Sequence, residues 1–507
     1  MSATTTSRTP VPASPAARPW AALAVLMLPV LLISVDNTVL SFAVPSISGS
    51  LRPGGTELLW IVDVYPLVLA GLLVPMGSLG DRIGRRRLLL IGSSGFALVS
   101  VLAAFAPTAG LLIAARAGLG FFGAMLMPAT LSLIRNIFTD PPRRRKAVAI
   151  WASGFSAGSA LGPVVGGVLL EHFWWGSVFL IAVPVLVPLL LLGPLLVPES
   201  RDPAPGPIDP LSIALAMGAM VPSVYGIKTI AESGWASAGP VLIPIGVVLG
   251  AAFVLRQLHR TTPLLDVRLF ANPVFSGSVA ANLLSVFSLV GFIFFVAQHL
   301  QLVSGRSPLE AGLFLSPGLM ATVAAGLTVV RLVRRVRPAH VVAGGLLLNA
   351  VGYGVVLASG ANGSDLGLMV AFVILGAGVG GAETISNDLI LTSVPPAKAG
   401  AASAVSETAY ELGAVLGTAV LGSILTAVYR SNVVVPASVR GADARAAGET
   451  MGGATEVARG LPGPTGQRLL ESAQHAFDSG VVITSAIGVV LMLVASAIAM
   501  RALRGAD

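Results

Sequence analysis

The sequence contains no cysteine and few charged residues. None of its 507 residues is Cys, and only 11% are Asp, Glu, Lys or Arg. The lack of cysteine excludes disulfides, thiolate metal sites and cysteine nucleophiles. A soluble domain carries roughly 25% charged residues, so this chain has too few to cover its own surface. We therefore expect the surface to face lipid.

Sequence patterns for catalysis, metal binding and nucleotide binding are also lacking. The five histidines are scattered without the spacing of metal ligands, and no Ser-His-acid arrangement stands out. No P-loop motif is present, and the G-x-G-x-x-G string that begins at Gly118 lies within an apolar run with no strand before it. We predict that the protein is not an enzyme and uses no cofactor. Because no nucleotide-binding motif is present, we expect any energy-requiring step to draw on a proton gradient and not on ATP.

Long apolar runs dominate the chain, and 55% of its residues are hydrophobic. A helix needs about 20 mainly apolar residues to cross the hydrocarbon core of a membrane. Fourteen such runs, spans 1 to 14, are predicted at residues 20–46, 57–79, 88–106, 109–134, 147–170, 177–197, 209–230, 238–256, 273–299, 308–330, 340–360, 366–393, 401–429 and 480–502. Residues 1–18 are rich in Ser, Thr, Pro and Ala and are predicted to be a disordered tail, not a signal peptide.

The basic residues predict the orientation of the chain. The net charge is +8, and Lys and Arg are concentrated in alternate loops, with clusters at 85–87 and 143–146. Because cytoplasmic loops are enriched in Lys and Arg, this distribution places both termini in the cytoplasm. The charge is therefore explained by membrane topology, and we expect no nucleic acid partner.

Two glycine patterns recur at nearly one offset along the chain. The string G-x-G-x-x-G-A begins at Gly118 in span 4 and again at Gly376 in span 12, and G-x-x-x-G begins at Gly158 in span 5 and at Gly413 in span 13. Transporters are commonly built from duplicated bundles. The repeat therefore predicts two six-helix halves, spans 1–6 and spans 9–14, with spans 7 and 8 inserted between them. The predicted units are residues 1–18 (tail), 19–200 (N-terminal half), 201–262 (inserted pair) and 263–507 (C-terminal half), which includes a long extracellular loop at 430–478.

Three strings carry a resemblance to a known family. The loop between spans 2 and 3 reads GSLGDRIGRRR from Gly77, span 4 begins LIAARAGLG from Leu112, and span 5 contains GSALGPVVGG from Gly158. These strings resemble the loop motif, the arginine motif and the antiporter motif of the major facilitator superfamily. Together with the extra helix pair and the string DNTV from Asp36, the chain resembles the fourteen-helix drug:proton antiporters of that superfamily, and in particular its multidrug efflux pumps.

The resemblance implies an all-α membrane protein with two pseudo-symmetric six-helix bundles and two inserted helices, in the bacterial cell membrane. It implies alternating access, with lipophilic cations such as quaternary ammonium compounds, ethidium and fluoroquinolones exported in exchange for protons. The expected partners are therefore these cations, protons and the lipid bilayer, with the protein acting as a monomer. Glu383 and Asp388 in span 12 lie outside the general motifs of the family, so the resemblance implies no role for them.

The loop motif allows two interpretations. Asp81 can pair with Arg85, or it can accept hydrogen bonds from the first amides of span 3, where the helix dipole favours an anion. A pair that forms and breaks is a conformational latch between transport states. The alternative is a helix cap beside charges that only set topology.

The antiporter motif in span 5 carries a glycine face. Gly158, Gly162 and Gly166 recur every four residues, so another helix can pack closely against them and seal a pathway. Pro163 removes one backbone donor and can bend the helix there. Simple tight packing is the alternative explanation for the same residues.

Acidic residues outnumber basic ones at membrane depth. An Asp at the centre of a membrane helix costs at least about 2.5 kcal/mol, so these residues need a partner or a function. Arg116 is the clear basic counterpart, with Lys228 near the end of span 7. The acids are Asp36, Asp63, Glu383, Asp388, Glu407 and Glu411. An acidic lining favours a lipophilic cation over an anionic or neutral substrate.

Several acids lie beside aromatic residues, as a cation-binding site requires. Asp63 has Trp60 one turn before it and Tyr65 two residues after it, a combination suited to a flat or quaternary cation. We predict that these three residues bind the substrate.

A second acidic group is predicted in spans 12 and 13. Glu407 and Glu411 lie four residues apart, hence on one helical face, with Tyr410 beside them. Two close carboxylates resist being ionised together, so this pair suits proton exchange. We predict that Glu407, Tyr410 and Glu383 bind substrate and that Glu411 carries a proton.

By resemblance, Asp36 and Arg116 form the proton-coupling pair, since a buried Arg keeps its charge and needs a carboxylate partner. Protonation of Asp36 from outside would free Arg116. A set of span 9 aromatics is predicted to face either the substrate pocket or the lipid: Phe287, Phe292, Phe294 and Phe295.

Two other functions fit parts of the sequence. An exporter dedicated to one antibiotic or metabolite would share the fold, and transport of a chemically varied panel would distinguish it. A non-transporting membrane sensor or lipid-handling protein would bind drugs without proton-coupled flux.

Overall fold

The computed structural model describes residues 17–202, 209–359, 365–395 and 398–505. In these ranges fourteen helices are long and apolar enough to cross a membrane, as predicted. In chain order, spans 1 to 14 are Ala17–Leu51, Gly55–Ile83, Arg85–Ala104, Ala109–Ile137, Pro141–His172, Ser177–Leu196, Pro210–Ser233, Gly239–His259, Pro273–Val303, Pro308–Leu332, Pro338–Ser359, Asp365–Thr392, Ala401–Asn432 and Pro464–Ala502. Most of the predicted tail, residues 1–16, lies outside the described ranges.

Local capping chemistry explains where several spans begin. Thr108 precedes span 4 and accepts a hydrogen bond from the Leu111 amide at 3.3 Å. Span 10 begins with a capping box, in which Ser307 accepts from the Glu310 amide and the Glu310 carboxylate accepts from the Ser307 amide. Such side chains satisfy the first amides of a helix, which have no intrahelical partner.

The two halves repeat the same helix packing. Span 5 packs against span 1 as span 13 packs against span 9, and span 4 packs against span 2 as span 12 packs against span 10. Glycines make these contacts close: a Cβ on Gly120 would lie 2.6 Å from the Tyr65 carbonyl oxygen, and one on Gly417 would lie 2.5 Å from the Phe287 carbonyl oxygen. The predicted repeat of six helices is therefore confirmed, with each half built around its own apolar core.

The inserted pair, spans 7 and 8, packs on itself and docks through span 7. Span 7 contacts span 2 of the N-terminal half and span 13 of the C-terminal half. A small apolar cluster joins the three helices through Leu67, Val224 and Val415. The two inserted helices are also tied to each other, because Arg256 of span 8 donates to the buried carboxylate of Asp209, just before span 7, at 3.0 Å. Span 7 therefore lies beside the line where the two halves meet.

The predicted loop at 430–478 is largely helical. It holds two short helices, Gly441–Glu449 and Met451–Gly460, and its last residues, from Pro464 onward, form the first part of span 14. The helix runs on because no proline follows Pro464, and Gly480 packs against Leu425 rather than ending the helix.

The short helices of this loop reach the N-terminal half. Arg52, just after span 1, forms an ion pair with Asp443 at 3.0 Å. A Cβ on Gly452 would lie 2.5 Å from the Cβ of Ser48 in span 1. Tyr429 at the end of span 13 donates to the Ala447 carbonyl at 2.8 Å, which anchors the loop to its own half. The loop therefore bridges the two halves on the face opposite the termini.

Candidate transport site

A cavity lies between the two halves, with walls from spans 1, 2, 4 and 5 on one side and spans 9, 10 and 13 on the other. Its polar lining comes from both halves: Asn37, Thr38, Ser41, Asp63, Arg116, Ser159, Tyr410 and Thr418. Apolar side chains such as Val62, Leu289 and Ile293 complete it. An apolar wall with a few convergent polar groups is the usual form of a small-molecule site.

Asp36 and Arg116 form a buried ion pair at this cavity. Arg116 Nη1 lies 2.8 Å from Asp36 Oδ2, and both side chains are nearly excluded from solvent. The same guanidinium donates through Nε to the Ile61 carbonyl at 3.1 Å. Span 4 thus places a permanent positive charge between spans 1 and 2, and the carboxylate compensates it. The coupling role of this pair stays a prediction.

Tyr65 supports Arg116 and lies apart from the cation site predicted for it. Its ring centroid is 4.6 Å from Arg116 Cζ, and its other neighbour is the Phe96 ring at 6.4 Å. The side chain is fully buried. On a helix, residues two apart point in different directions, so Tyr65 and Asp63 face different neighbours.

Asp63 is paired with a lysine of the inserted helices. Lys228 Nζ lies 2.8 Å from Asp63 Oδ2, and the two side chains are 0% and 1% exposed. The same ammonium lies 4.2 Å from the centroid of the Trp60 ring. The acid and the aromatic ring predicted to bind a substrate cation therefore hold an internal cation in this structure, and their role in substrate binding stays a prediction. The sequence showed Lys228 at membrane depth but gave no partner for it.

The C-terminal half contributes carboxylates without an ion pair. In the described part of the chain, no Lys, Arg or His forms an ion pair with Glu383, Glu407 or Glu411. Glu411 is buried, and its carboxylate lies beside the side chain of Asn37 in span 1. Glu407 and Glu383 are half-buried, and their charges repel each other. Asp388 is exposed.

Only some of the residues predicted for substrate binding or proton coupling reach the cavity wall. Asp63, Arg116 and Tyr410 are part of the lining, together with Asn37, which the sequence analysis did not select. Glu411 lies beside Asn37, which lines the cavity. Trp60, Glu383 and Glu407 are not among the described lining residues.

The span 9 phenylalanines face neither the pocket nor the lipid. All four are buried in the core of the C-terminal half, where Phe292 stacks on Phe372 with ring centroids 5.4 Å apart. The cavity receives Leu289, Val290 and Ile293 from this span instead. Both alternatives predicted for these aromatics were wrong, because span 9 packs against its neighbours on most of its surface.

In the loop motif, Asp81 pairs with Arg85, and a different acid caps span 3. Arg85 Nη2 lies 2.8 Å from Asp81 Oδ1, and Arg85 also donates to the Ser200 hydroxyl at 3.1 Å. Glu199, which the sequence analysis did not select, accepts from the Arg86 amide at 3.1 Å. Gly84 between the helices has φ +110°, a conformation that favours glycine. The motif therefore ties the loop to the end of span 6.

The glycine face of span 5 packs directly on span 1. A Cβ on Gly158 would lie 2.5 Å from the Ser34 Cβ, and one on Gly166 would lie 2.6 Å from a Val39 methyl. A Cβ on Gly162 would overlap the Thr38 hydroxyl.

The opposite side of the same helix meets the other half of the protein. The Pro163 carbonyl is in close contact with Gly312 of span 10. Span 5 therefore joins both halves along one wall of the cavity.

The fold and this central site define a class: a multi-pass membrane transporter with two repeated helical bundles around a polar cavity. Residues 26–418 match the family model of the Major Facilitator Superfamily. The chain belongs to this superfamily, which confirms the resemblance found in the motifs.

Curated relatives extend over nearly the whole chain. The multidrug efflux pump LfrA of Mycolicibacterium smegmatis is 58% identical, with 98% of each chain covered. The methyl viologen resistance protein SmvA of Salmonella typhimurium is 38% identical over 94% of this chain and 97% of its own. The tetracenomycin C resistance and export protein of Streptomyces glaucescens is 31% identical over 95% of this chain and 91% of its own.

Among solved structures, a bacterial homologue of the lysosomal transporter Spinster, inward-facing and unoccupied, has the same fold. It superimposes with a TM-score of 0.67 at 18% sequence identity, over 97% of this chain and 98% of its own.

Proposed function

We propose that this protein is a proton-coupled exporter of lipophilic cations in the bacterial cell membrane, acting as a monomer with both termini in the cytoplasm. The observation that carries the proposal is the unequal charge balance of the two halves. In the N-terminal half, Asp36 and Asp63 are each neutralised by a basic side chain. In the C-terminal half, three glutamates near the cavity have no ion-pair partner among the described residues.

Unpaired carboxylates at membrane depth favour a cationic substrate. A buried charge is costly unless it is compensated, and a cation that enters the cavity can supply the compensation. Electrostatic attraction is strong in a low-dielectric site, and Tyr410 on the cavity wall adds an aromatic face for cation–π contact. An anionic substrate would meet repulsion from the same groups.

The same carboxylates suit proton exchange. Glu407 and Glu383 repel each other, and Glu411 is close enough to Asp36 for their charges to interact. Protonation therefore relieves the repulsion, and arrival of a cation favours release of the proton. Because one group of acids serves both ligands, each ligand opposes the binding of the other, which is the requirement for antiport.

Relatives support the direction of transport and the chemistry of the substrate. One is named as a multidrug efflux pump and another for resistance to methyl viologen, which points to export of flat organic cations. Quaternary ammonium compounds, ethidium and fluoroquinolones are the substrate classes we propose for this chain.

The decisive experiment is ethidium efflux from loaded cells that express the protein, with and without a protonophore. We expect efflux that stops when the proton gradient collapses while cellular ATP remains high. The matched control is the Glu407→Gln/Glu411→Gln double variant at equal expression, which should not export ethidium. Efflux that survives the protonophore and stops on ATP depletion would contradict the proposal.

A further inference from the structure

The ammonium of Lys228 occupies a complete cation site. Asp63 supplies the counter-charge at 2.8 Å, and the Trp60 ring supplies an aromatic face at 4.2 Å. Tyr225, one turn before Lys228 on span 7, places its ring 6.0 Å from that of Trp60. A carboxylate and aromatic rings are the groups that bind organic ammonium ligands. The arrangement is therefore that of a substrate-type cation site, filled by a side chain of the protein.

This site adjoins the central cavity. Asp63 is part of the cavity wall, as is Thr418, which also contacts the Asp63 carboxylate. Lys228 approaches Asp63 from span 7, which packs against spans 2 and 13 outside the cavity wall. The carboxylate is thus placed between two cations: one tethered to the inserted helices, and one that enters through the cavity.

We propose that Lys228 is a built-in competitor cation, which fills the Asp63–Trp60 site in the absence of substrate and is displaced when a lipophilic cation binds there. This inference rests on the proposed function, because it assigns to Asp63 a part in cation binding. It gives the inserted helix pair a role in transport: span 7 supplies the charge that keeps the empty site neutral.

Lys228 lies close enough to the end of span 7 for its displaced ammonium to reach the membrane surface. It is five residues from the end of span 7 at Ser233, a rise of about 7.5 Å along the helix. A lysine near a helix end extends its flexible stem to the membrane surface and keeps its charge in water. Lys228 therefore leaves the site by moving outward along span 7, without giving up its proton.

Replacing Lys228 with an uncharged residue tests whether Lys228 competes with the substrate cation or has only a structural role. In Lys228→Met, we expect the purified protein to bind ethidium about tenfold more tightly at mildly alkaline pH, which corresponds to about 1.4 kcal/mol. Binding of Nile red, an uncharged lipophilic dye, should not change. Lys228→Arg keeps the charge and should bind both dyes like the parent. Equilibrium dialysis in detergent measures all of these affinities.

Variants at Asp63 complete the test. Asp63→Asn should bind ethidium more weakly than the parent. Adding Lys228→Met to Asp63→Asn should not raise the affinity for ethidium, since the carboxylate for which Lys228 and ethidium compete is gone. If Lys228→Met weakens both dyes in parallel, or fails to fold while Asp63→Asn/Lys228→Met folds, Lys228 only neutralises a buried acid and the inference is overturned. If the parent itself binds no ethidium, the proposed function fails instead. An unchanged affinity in Lys228→Met, with ethidium binding weakened in Asp63→Asn, overturns the competitor role alone.

Discussion

The Glu411 carboxylate of span 13 lies beside the side chain of Asn37 in span 1, the residue that follows Asp36. This contact crosses the boundary between the two halves and brings Glu411 close to the Asp36–Arg116 ion pair. A change in the charge of Glu411 therefore acts on a group in the opposite half. Alternating access requires contacts of this kind, which differ between states and join the halves beside the cavity.

The Asp36–Arg116 pair should show strong energetic coupling. Asp36→Asn leaves the guanidinium buried without a counter-charge, so we expect a loss of about 3–5 kcal/mol in stability. The Asp36→Asn/Arg116→Gln double variant should recover part of this loss, because no unpaired charge remains. Thermal unfolding of the purified variants in detergent measures the cycle. Additive effects of the two single substitutions would mean that the pair is not coupled.

The contact between span 5 and span 1 should tolerate no added methyl group at its centre. A Cβ on Gly162 would overlap the Thr38 hydroxyl, so Gly162→Ala should destabilise the protein by about 1–3 kcal/mol. Adding Thr38→Ala should restore most of the stability. Gly354→Ala is the matched control, since a Cβ there meets no atom within 4 Å, and it should be neutral or stabilising by up to about 1 kcal/mol. Equal effects at both glycines would contradict the role of close packing.

Local pattern in the sequence predicted the spans and the repeat well, because both depend on hydrophobicity and glycine spacing within one helix. The glycine strings from Gly118 and Gly376 correctly paired span 4 with span 12. The Asp36–Arg116 partnership was expected from resemblance, and the two side chains do meet in the structure.

Contacts between distant helices were harder to predict. Nothing local to Lys228 or Asp63 shows that span 7 docks beside span 2, so the sequence left Asp63 unpaired. The span 9 phenylalanines were misplaced for a related reason. Hydrophobicity alone does not distinguish a lipid-facing side chain from one packed between helices.

Acid should weaken the contact between the two inserted helices at Asp209. The hydrogen bond from Arg256 holds the pKa of this carboxylate well below its ordinary value of 3.8. A lowered folded-state pKa gives stability that is present above the unfolded value and is lost as pH falls below it. We therefore expect stability to decline below about pH 4, and this decline to be smaller in Asp209→Asn.

The neutral-pH comparison completes that test. Asp209→Asn should be less stable than the parent by about 1–3 kcal/mol, since Arg256 loses a charged acceptor. Asp443→Asn removes an ion pair in which both side chains are about half exposed, and it should have little effect at any pH. Unfolding measured at several pH values distinguishes the two. A parallel acid decline in the parent and in Asp209→Asn would show that another group is responsible.

Neutralising Glu407 and neutralising Glu411 should impair different functions: ethidium binding in the first case and proton release in the second. Glu407 is half-buried and repelled by Glu383, whereas Glu411 is buried and lies beside Asn37 of the other half. We expect Glu407→Gln to weaken ethidium binding about tenfold, equivalent to about 1.4 kcal/mol, while proton release at saturating ethidium continues. Glu411→Gln should bind ethidium nearly like the parent but release fewer protons per ethidium bound.

A pH-indicator dye in weakly buffered detergent solution measures the proton release, and Asp388→Asn, at an exposed position, is the control. Because the two acids interact, each substitution also shifts the titration of the other, so the protons lost in the two single variants need not sum to the loss in the double variant. If both single variants bind ethidium and release protons like the parent, these glutamates are structural, and coupling must reside in Asp36, Asp63 or Glu383.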